Sequence, residues 1–225
     1  FLSIYADEPH EAEVSIYVAP SYRCHGISKD LLTEFEKISR RYQLTNIYFI
    51  SEANFLDKHS YYWNEYTASV DDNEIWLEQN SCDVSLEVNS DLEVCLADQS
   101  LIQDIARFQS LAFDSSLDHA EMYARESVLD ENCLLYVLRK NGQICGSCSV
   151  DISLGTNYLF GLAIDEIFRG LGLGSHLVKF ILNDLHQRNG RLCQIVVEVQ
   201  NTGALRLYQR LGFEKKSEII YLKRK

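Results

Sequence analysis

Proline and tryptophan each occur only twice in 225 residues, methionine once and glycine eleven times. So little Pro and Gly excludes a collagen-like chain, and a hydrophobic share of 46% excludes a disordered one. Basic charge is also short, with 21 Lys and Arg against 33 Asp and Glu and a formal net charge of -12. A general nucleic-acid surface needs cations to neutralise phosphates and release counterions, so that class is disfavoured, and cationic amine partners suit the chain better. No continuous apolar run reaches the ~20 residues of a membrane span. Cysteines are odd in number and scattered, at 24, 82, 95, 133, 145, 148 and 193, mostly in apolar strand-like stretches. They read as reduced core thiols of a cytoplasmic protein. Cys145 and Cys148 have the spacing of a metal knuckle or redox pair, but no second Cys or His pair lies at a matching distance. The chain opens on Phe1 within a strand-like stretch, which leaves room for a preceding segment.

What is present is globular, with length for one large domain or two modest ones of ~100 to 150 residues. One pattern occurs twice: a strand, a loop opening with Arg, an amphipathic helix, a strand, then Asn and a helix bearing Tyr. In the first copy these are Val14 to Val18, the loop Tyr22 to Ser28, a helix with Leu31, Leu32, Phe35 and Ile38 in register, Ile47 to Ile50, Asn54 and Tyr61. A closing strand is expected at Ile75 to Leu77. In the second they are Tyr158 to Ile164, the loop from Arg169, a helix with Leu177, Val178, Ile181, Leu182 and Leu185, Ile195 to Val199, Asn201 and Tyr208. Asn89-Ser90 reads as the boundary, which gives a partial first module over 1–88 and a complete second one over 89–225. The second adds a strand at Leu92 to Leu96, helices at Ser100 to Phe113 and Leu117 to Leu129, and a hairpin turning at Asn141-Gly142.

The chemistry concentrates in Arg169-Gly170-Leu171-Gly172-Leu173-Gly174, which runs from a buried strand directly into a helix. Three glycines let the backbone turn tightly and bring its N–H groups close to a ligand. The helix N-terminus adds unpaired donors and partial positive charge, and no carboxylate occupies 169–175 to compete with an anion. The loop therefore reads as a pyrophosphate cradle. Two familiar phosphate loops are missing. A dinucleotide fingerprint requires a third Gly where Ser175 stands, and a P-loop requires Gly-Lys-Ser/Thr where Gly174 is followed by Ser175-His176.

Arg169 to Gly174 resembles the R/Q-x-x-G-x-G/A motif of the GCN5-related N-acetyltransferase (GNAT) superfamily. Gly161-Leu162-Ala163-Ile164 resembles its fourth strand, and Asn201, Ala204, Leu207, Tyr208, Gly212 and Phe213 resemble its N-x-x-A-x-x-x-Y-x-x-x-G-F segment. The likeness covers roughly 91–225, and 1–80 less closely. It implies an α/β fold with a GNAT-like twisted mixed sheet flanked by helices, here as two tandem modules, whose central strands splay around acetyl-CoA. It also implies that the pyrophosphate rests on Arg169, Gly170, Leu171, Gly172, Leu173, Gly174 and Ser175. Backbone groups of Leu162, Ala163 and Ile164 would pair with pantetheine, Asn201 would approach the same arm, and the Tyr208 hydroxyl would lie beside the sulfur.

The function expected is transfer of an acetyl group from acetyl-CoA to a primary amine, on a small molecule or peptide, by direct attack. The alternative is a non-catalytic acyl-CoA-binding regulatory module. Tyr208 is the candidate general acid, or merely a packing residue, and Glu198, alternating with Val197 and Val199, is the candidate base or a solvated carboxylate. Asp165 and Glu166 rival it. Asn201 also fits a plain helix N-cap. In the first loop Ser28 stands where the motif has Gly or Ala, and Cys24 and His25 precede Gly26, which points to a structural or regulatory role for that module.

Overall fold

The computed structural model describes residues 1–6, 9–59, 66–80, 84–86 and 89–224. Strands β1 (Leu2–Tyr5) and β2 (Glu11–Ile16) lead into helix α1 (Ile27–Tyr42), β3 (Asn46–Glu52), the short α2 (Ala53–Lys58) and β4 (Tyr66–Gln79). After these come β5 (Leu92–Leu96), α3 (Ile102–Ala112), α4 (Leu117–Leu129), β6 (Cys133–Lys140), β7 (Gln143–Asp151) and β8 (Asn157–Ile164). The chain closes with α5 (Leu173–Arg188), β9 (Cys193–Glu198), α6 (Thr202–Arg210) and β10 (Glu214–Arg224). No helix among the described residues is long and apolar enough to cross a membrane.

Two compact units result, and neither is a continuous piece of chain. The first is Phe1–Ile75 with Glu198–Gln200 and Ser217–Lys225. In it β1 runs antiparallel to β2, β2 parallel to β3, and β10 antiparallel to β3 with Tyr221 opposite Ile50. The other neighbour of β10 is β4. The core joins Ala12 and Val14 of β2, Phe35 of α1 and Phe49 of β3 to Ile220 and Leu222 of β10. Phe35 meets Phe49 edge-on, with ring centroids 5.5 Å apart.

The second unit is Trp76–Val197 with Asn201–Lys216. Strands β5, β6, β7 and β8 pair antiparallel in sequence order, and β8 then pairs parallel with β9. One face packs on α3 and α4 through Ile102, Ile105, Ala124, Leu135 and Val137. The opposite pleat of β6 places Tyr136 against α5, where its hydroxyl donates to Asp184 at 2.5 Å and its ring meets Phe180. Leu177, Val178, Ile181, Leu182 and Leu185 are all buried, as their spacing predicts. Asn141 and Gly142 both hold positive φ, 51° and 82°, the requirement of a two-residue hairpin turn.

Three expectations shift. The strand expected at 14–18 lies at Glu11–Ile16, because the chain leaves the sheet before Pro20 opens a short 3-10 turn. Asn54 lies inside α2 rather than ahead of it, so it does not repeat the place of Asn201. Tyr61 and Cys82 lie outside the described residues. The compact units also part between Ile75 and Trp76, inside β4, and not at residue 88. Alternating apolar residues announce a strand, but they do not say which distant strand it will join.

Because Leu222 is 4% exposed within the first unit's core, Leu222→Ala should destabilise that unit by about 2–5 kcal/mol. Amide hydrogen exchange should speed up in β2 and β3, which are more than 160 residues away in sequence, and not in α3 or β6. Faster exchange confined to β10 would show that this strand is dispensable to the unit.

Candidate functional site

The site is built on the way β8 ends. Its parallel ladder with β9 runs Asn157↔Cys193, Tyr158↔Gln194 and Leu159↔Ile195, and it stops there. On the other side β8 stays joined to β7 as far as Ile164, with a register shift between Ser147 and Ser149. Gly161 sits at this irregularity with φ 60°, a conformation that disfavours any side chain. Past the fork, no strand among the described residues pairs with the β9-facing side of Phe160 to Ile164. Backbone donors and acceptors seek partners, so an extended amide-bearing ligand fits there.

The chain then turns through the predicted loop. Asp165 caps a short 3-10 turn at Glu166–Phe168 by accepting the Ile167 N–H at 3.1 Å. Arg169 Nε donates to the Ile164 carbonyl at 3.2 Å, so its guanidinium ties the loop back to the strand. Gly170 and Gly172 hold φ 78° and 83°, and a Cβ added at either meets nothing within 4 Å. Their conformation favours glycine, while the space above them stays open. Gly174 differs, since a Cβ there would touch Ile164 and Leu207 at 3.5 Å; it lies in the first turn of α5. Gly172 is the N-cap of that helix and offers no side-chain cap, and no acidic residue occupies the first turn. The first helical bond inside α5 is His176 N–H to Gly172 O. The N–H groups of Leu173, Gly174 and Ser175 are thus left for an external acceptor, which suits an anion. Leu173 is itself buried and anchors the turn, and Leu171 is exposed.

Asn201 caps α6, its Oδ1 accepting the Ala204 N–H at 3.1 Å. Tyr208 lies in the last turns of α6, 2% exposed and edge-on to Phe213 at 5.4 Å. Burial, with the neighbouring Cys148 second, pushes its hydroxyl well above the usual phenol range. The Cys148 thiol is itself pushed up to about 12 by burial and donates to the Phe160 carbonyl at 3.6 Å. Both groups therefore stay protonated at neutral pH. Among the described residues no cluster of His, Cys, Asp and Glu could hold a metal.

In the first unit, Glu198 ends β9 with an exposed side chain. Its charge is felt by a carboxylate that sequence reasoning missed, Glu74 of β4. Glu74 is half-buried, and burial raises its pKa against the pull of a 2.9 Å hydrogen bond from Tyr221. Nothing in the sequence marks Glu74, because its neighbours come from distant strands. Gly161, in contrast, was a readable signal: a lone glycine inside a strand pattern marks a bulge or close backbone approach.

The loop of the first unit follows the same path. Gly26 holds φ 82° as N-cap of α1, Cys24 φ 64° where Gly170 stands in the other loop, and Arg23 Nε donates to the Val18 carbonyl at 3.1 Å. A non-glycine residue in this conformation is strained. Gly172→Ala should cost about 1–2 kcal/mol from backbone strain alone, read from urea unfolding. A neutral substitution would show that the left-handed conformation is not needed.

The model of the Acetyltransferase (GNAT) family matches residues 1–65 and 100–213. Over 91 residues the chain is 30% identical to an uncharacterized N-acetyltransferase of Methanocaldococcus jannaschii, covering 37% of this chain and 40% of that one. Over 85 residues it is 28% identical to the [ribosomal protein bS18]-alanine N-acetyltransferase of Escherichia coli, 38% and 57% of the two chains. The matches thus span about half the length of these curated relatives. A tandem GNAT protein from the clavulanic acid biosynthesis pathway shares the fold at TM-score 0.77 and 15% identity, over 98% of this chain and 77% of that one. With a mixed sheet forked after Leu159, a glycine loop opening α5 and family matches in both halves, the chain belongs to the GNAT acetyltransferase family.

Proposed function

We propose that the chain transfers the acetyl group of acetyl-CoA to a primary amine, and that the second unit holds the cofactor. The observation that carries this reading is the conjunction of two features of the second unit, the side of β8 over Leu162 to Ile164 that β9 no longer pairs with, and the uncapped α5 N-terminus. One suits an amide-bearing arm and the other its pyrophosphate. Bound acetyl-CoA supplies an activated thioester: the amine nitrogen forms a bond to its carbonyl carbon and the carbon–sulfur bond breaks.

The chain's own part is to place and protonate. Residues Arg169 to Ser175 grip the phosphates, and Asn201 orients the arm from the cap of α6. Tyr208 donates its hydroxyl proton to the departing sulfur. The proton that the attacking amine loses passes to water. The first unit, whose loop carries Cys24 and Ser28 in place of two glycines, serves as a structural or regulatory module. The Escherichia coli relative's name gives an alanine amine as its acceptor; that supports an amine here without naming one.

Tyr208→Phe removes the hydroxyl and keeps the packing against Phe213. Thiol release from acetyl-CoA should fall ~10² to 10⁴-fold, with CoA affinity and melting temperature near wild type. Unchanged turnover, where chemistry limits the rate, would remove Tyr208 from the mechanism.

A further inference from the structure

The second unit buries a nucleophilic group that the mechanism above does not use, the thiol of Cys148 in β7. Cys148 lies opposite Tyr136 of β6, and directly opposed residues share a face, so its side chain points to the side where Tyr136 meets α5. Its neighbour Ser147 points the other way and accepts from Gln109 of α3 at 3.2 Å. Toward β8 the ladder matches Ser149 with Phe160 and then Ser147 with Ala163. Cys148 alone therefore faces two residues, Gly161 and Leu162, which makes this irregularity a β-bulge on β8.

The thiol sits where the matched ladder ends. Its sulfur lies 3.5 Å from the Ser149 carbonyl oxygen and 3.6 Å from that of Phe160, the two carbonyls of the last pair before the bulge. A thiol has one hydrogen, so it donates to either carbonyl or is shared between them. Cys148 is 0% exposed, and burial keeps that hydrogen on the sulfur. In such a setting even a weak donor counts for more than it would in water. Gly161 permits the bulge with its φ of 60°, but glycine tolerates many conformations and selects none of them. The group that can select is the side chain opposite. Tyr208 of α6 lies within electrostatic reach of the same thiol.

We propose that Cys148 is a positioning residue for the cofactor: its thiol pins the Ser149–Phe160 pair, so that the bulge falls on Gly161 and Leu162 and the backbone of 162–164 meets the arm in a single register. The assignment rests on the acetyl-CoA reading above. A bulge displaced along β8 turns the N–H and C=O of the residues it passes from one edge of the strand to the other. The arm would then meet a different set of donors and acceptors.

Amide hydrogen exchange of the CoA-free chain and calorimetry with CoA test this in three variants. Cys148→Ala and Cys148→Val both remove the donor, one leaving a gap and the other filling it, whereas Cys148→Ser keeps a donor. Exchange at residues 160–163 should be faster in the Ala and Val variants and near wild type in the Ser variant. CoA should bind about three- to tenfold more weakly in the Ala and Val variants alone. Cys148→Ser should still melt lower than wild type, since a hydroxyl is costlier to bury than a thiol, so affinity and stability part company. Unchanged exchange at 160–163 in the Ala and Val variants, the same change in the Ser variant, or undiminished CoA affinity despite faster exchange would overturn the inference. CoA binding by the wild-type chain would leave the acetyl-CoA reading standing in each of those cases. A wild-type chain that binds no CoA, with exchange ordered as expected, would do the reverse: the cofactor role would fall, and the hold of the thiol on the bulge would stand.

Discussion

Strand β8 cannot hold both of its neighbours to its end, and the arrangement of the second unit follows from that constraint. It stays with β7 up to Ile164 and abandons β9 after Leu159. Unpaired backbone groups are costly when sheltered from water, at about 1–3 kcal/mol each, so a fork of this kind persists where a ligand or solvent completes it. Gly161 allows the strand to bend there, and Arg169 ties the following loop to the last carbonyl of the strand. The N-terminus of α5 therefore opens a few residues beyond the fork. The arm and the phosphates of one ligand can thus be met by consecutive segments of chain, residues 162–164 and 169–175.

Local periodicity made much of this readable. A helix declares its buried face within one element, so the five apolar positions of α5 fall inside as their spacing predicts. Asn141-Gly142 declares a turn because few other pairs tolerate two positive φ values. The loop was legible for the same reason: Gly170 and Gly172 hold a backbone conformation that other residues resist. The role of Gly174 was not separable from theirs by sequence: it lies in the first turn of α5 without the positive φ of the other two, and a Cβ there would make only ordinary contacts with Ile164 and Leu207.

What sequence did not reveal is long-range. Strand β10 carries Ile220 and Leu222 into the core of the first unit, from the far end of the chain. The second unit begins within β4, at Trp76, a strand whose earlier residues belong to the first unit. A boundary drawn from composition falls at Asn89, in a polar stretch, because composition sees linkers and not strand partners. Glu74 escaped notice for the same reason, since its burial and its bond from Tyr221 depend on β10.

The central claim is that the fork and the α5 N-terminus together hold one CoA, and that the first unit's loop does not. Amide hydrogen exchange of the whole chain, with and without saturating CoA, tests it most directly. The account predicts slowed exchange at residues 162–164 and 170–175, and exchange at residues 23–28 unchanged. No slowing at 162–164 and 170–175, or equal slowing in both loops, would contradict it.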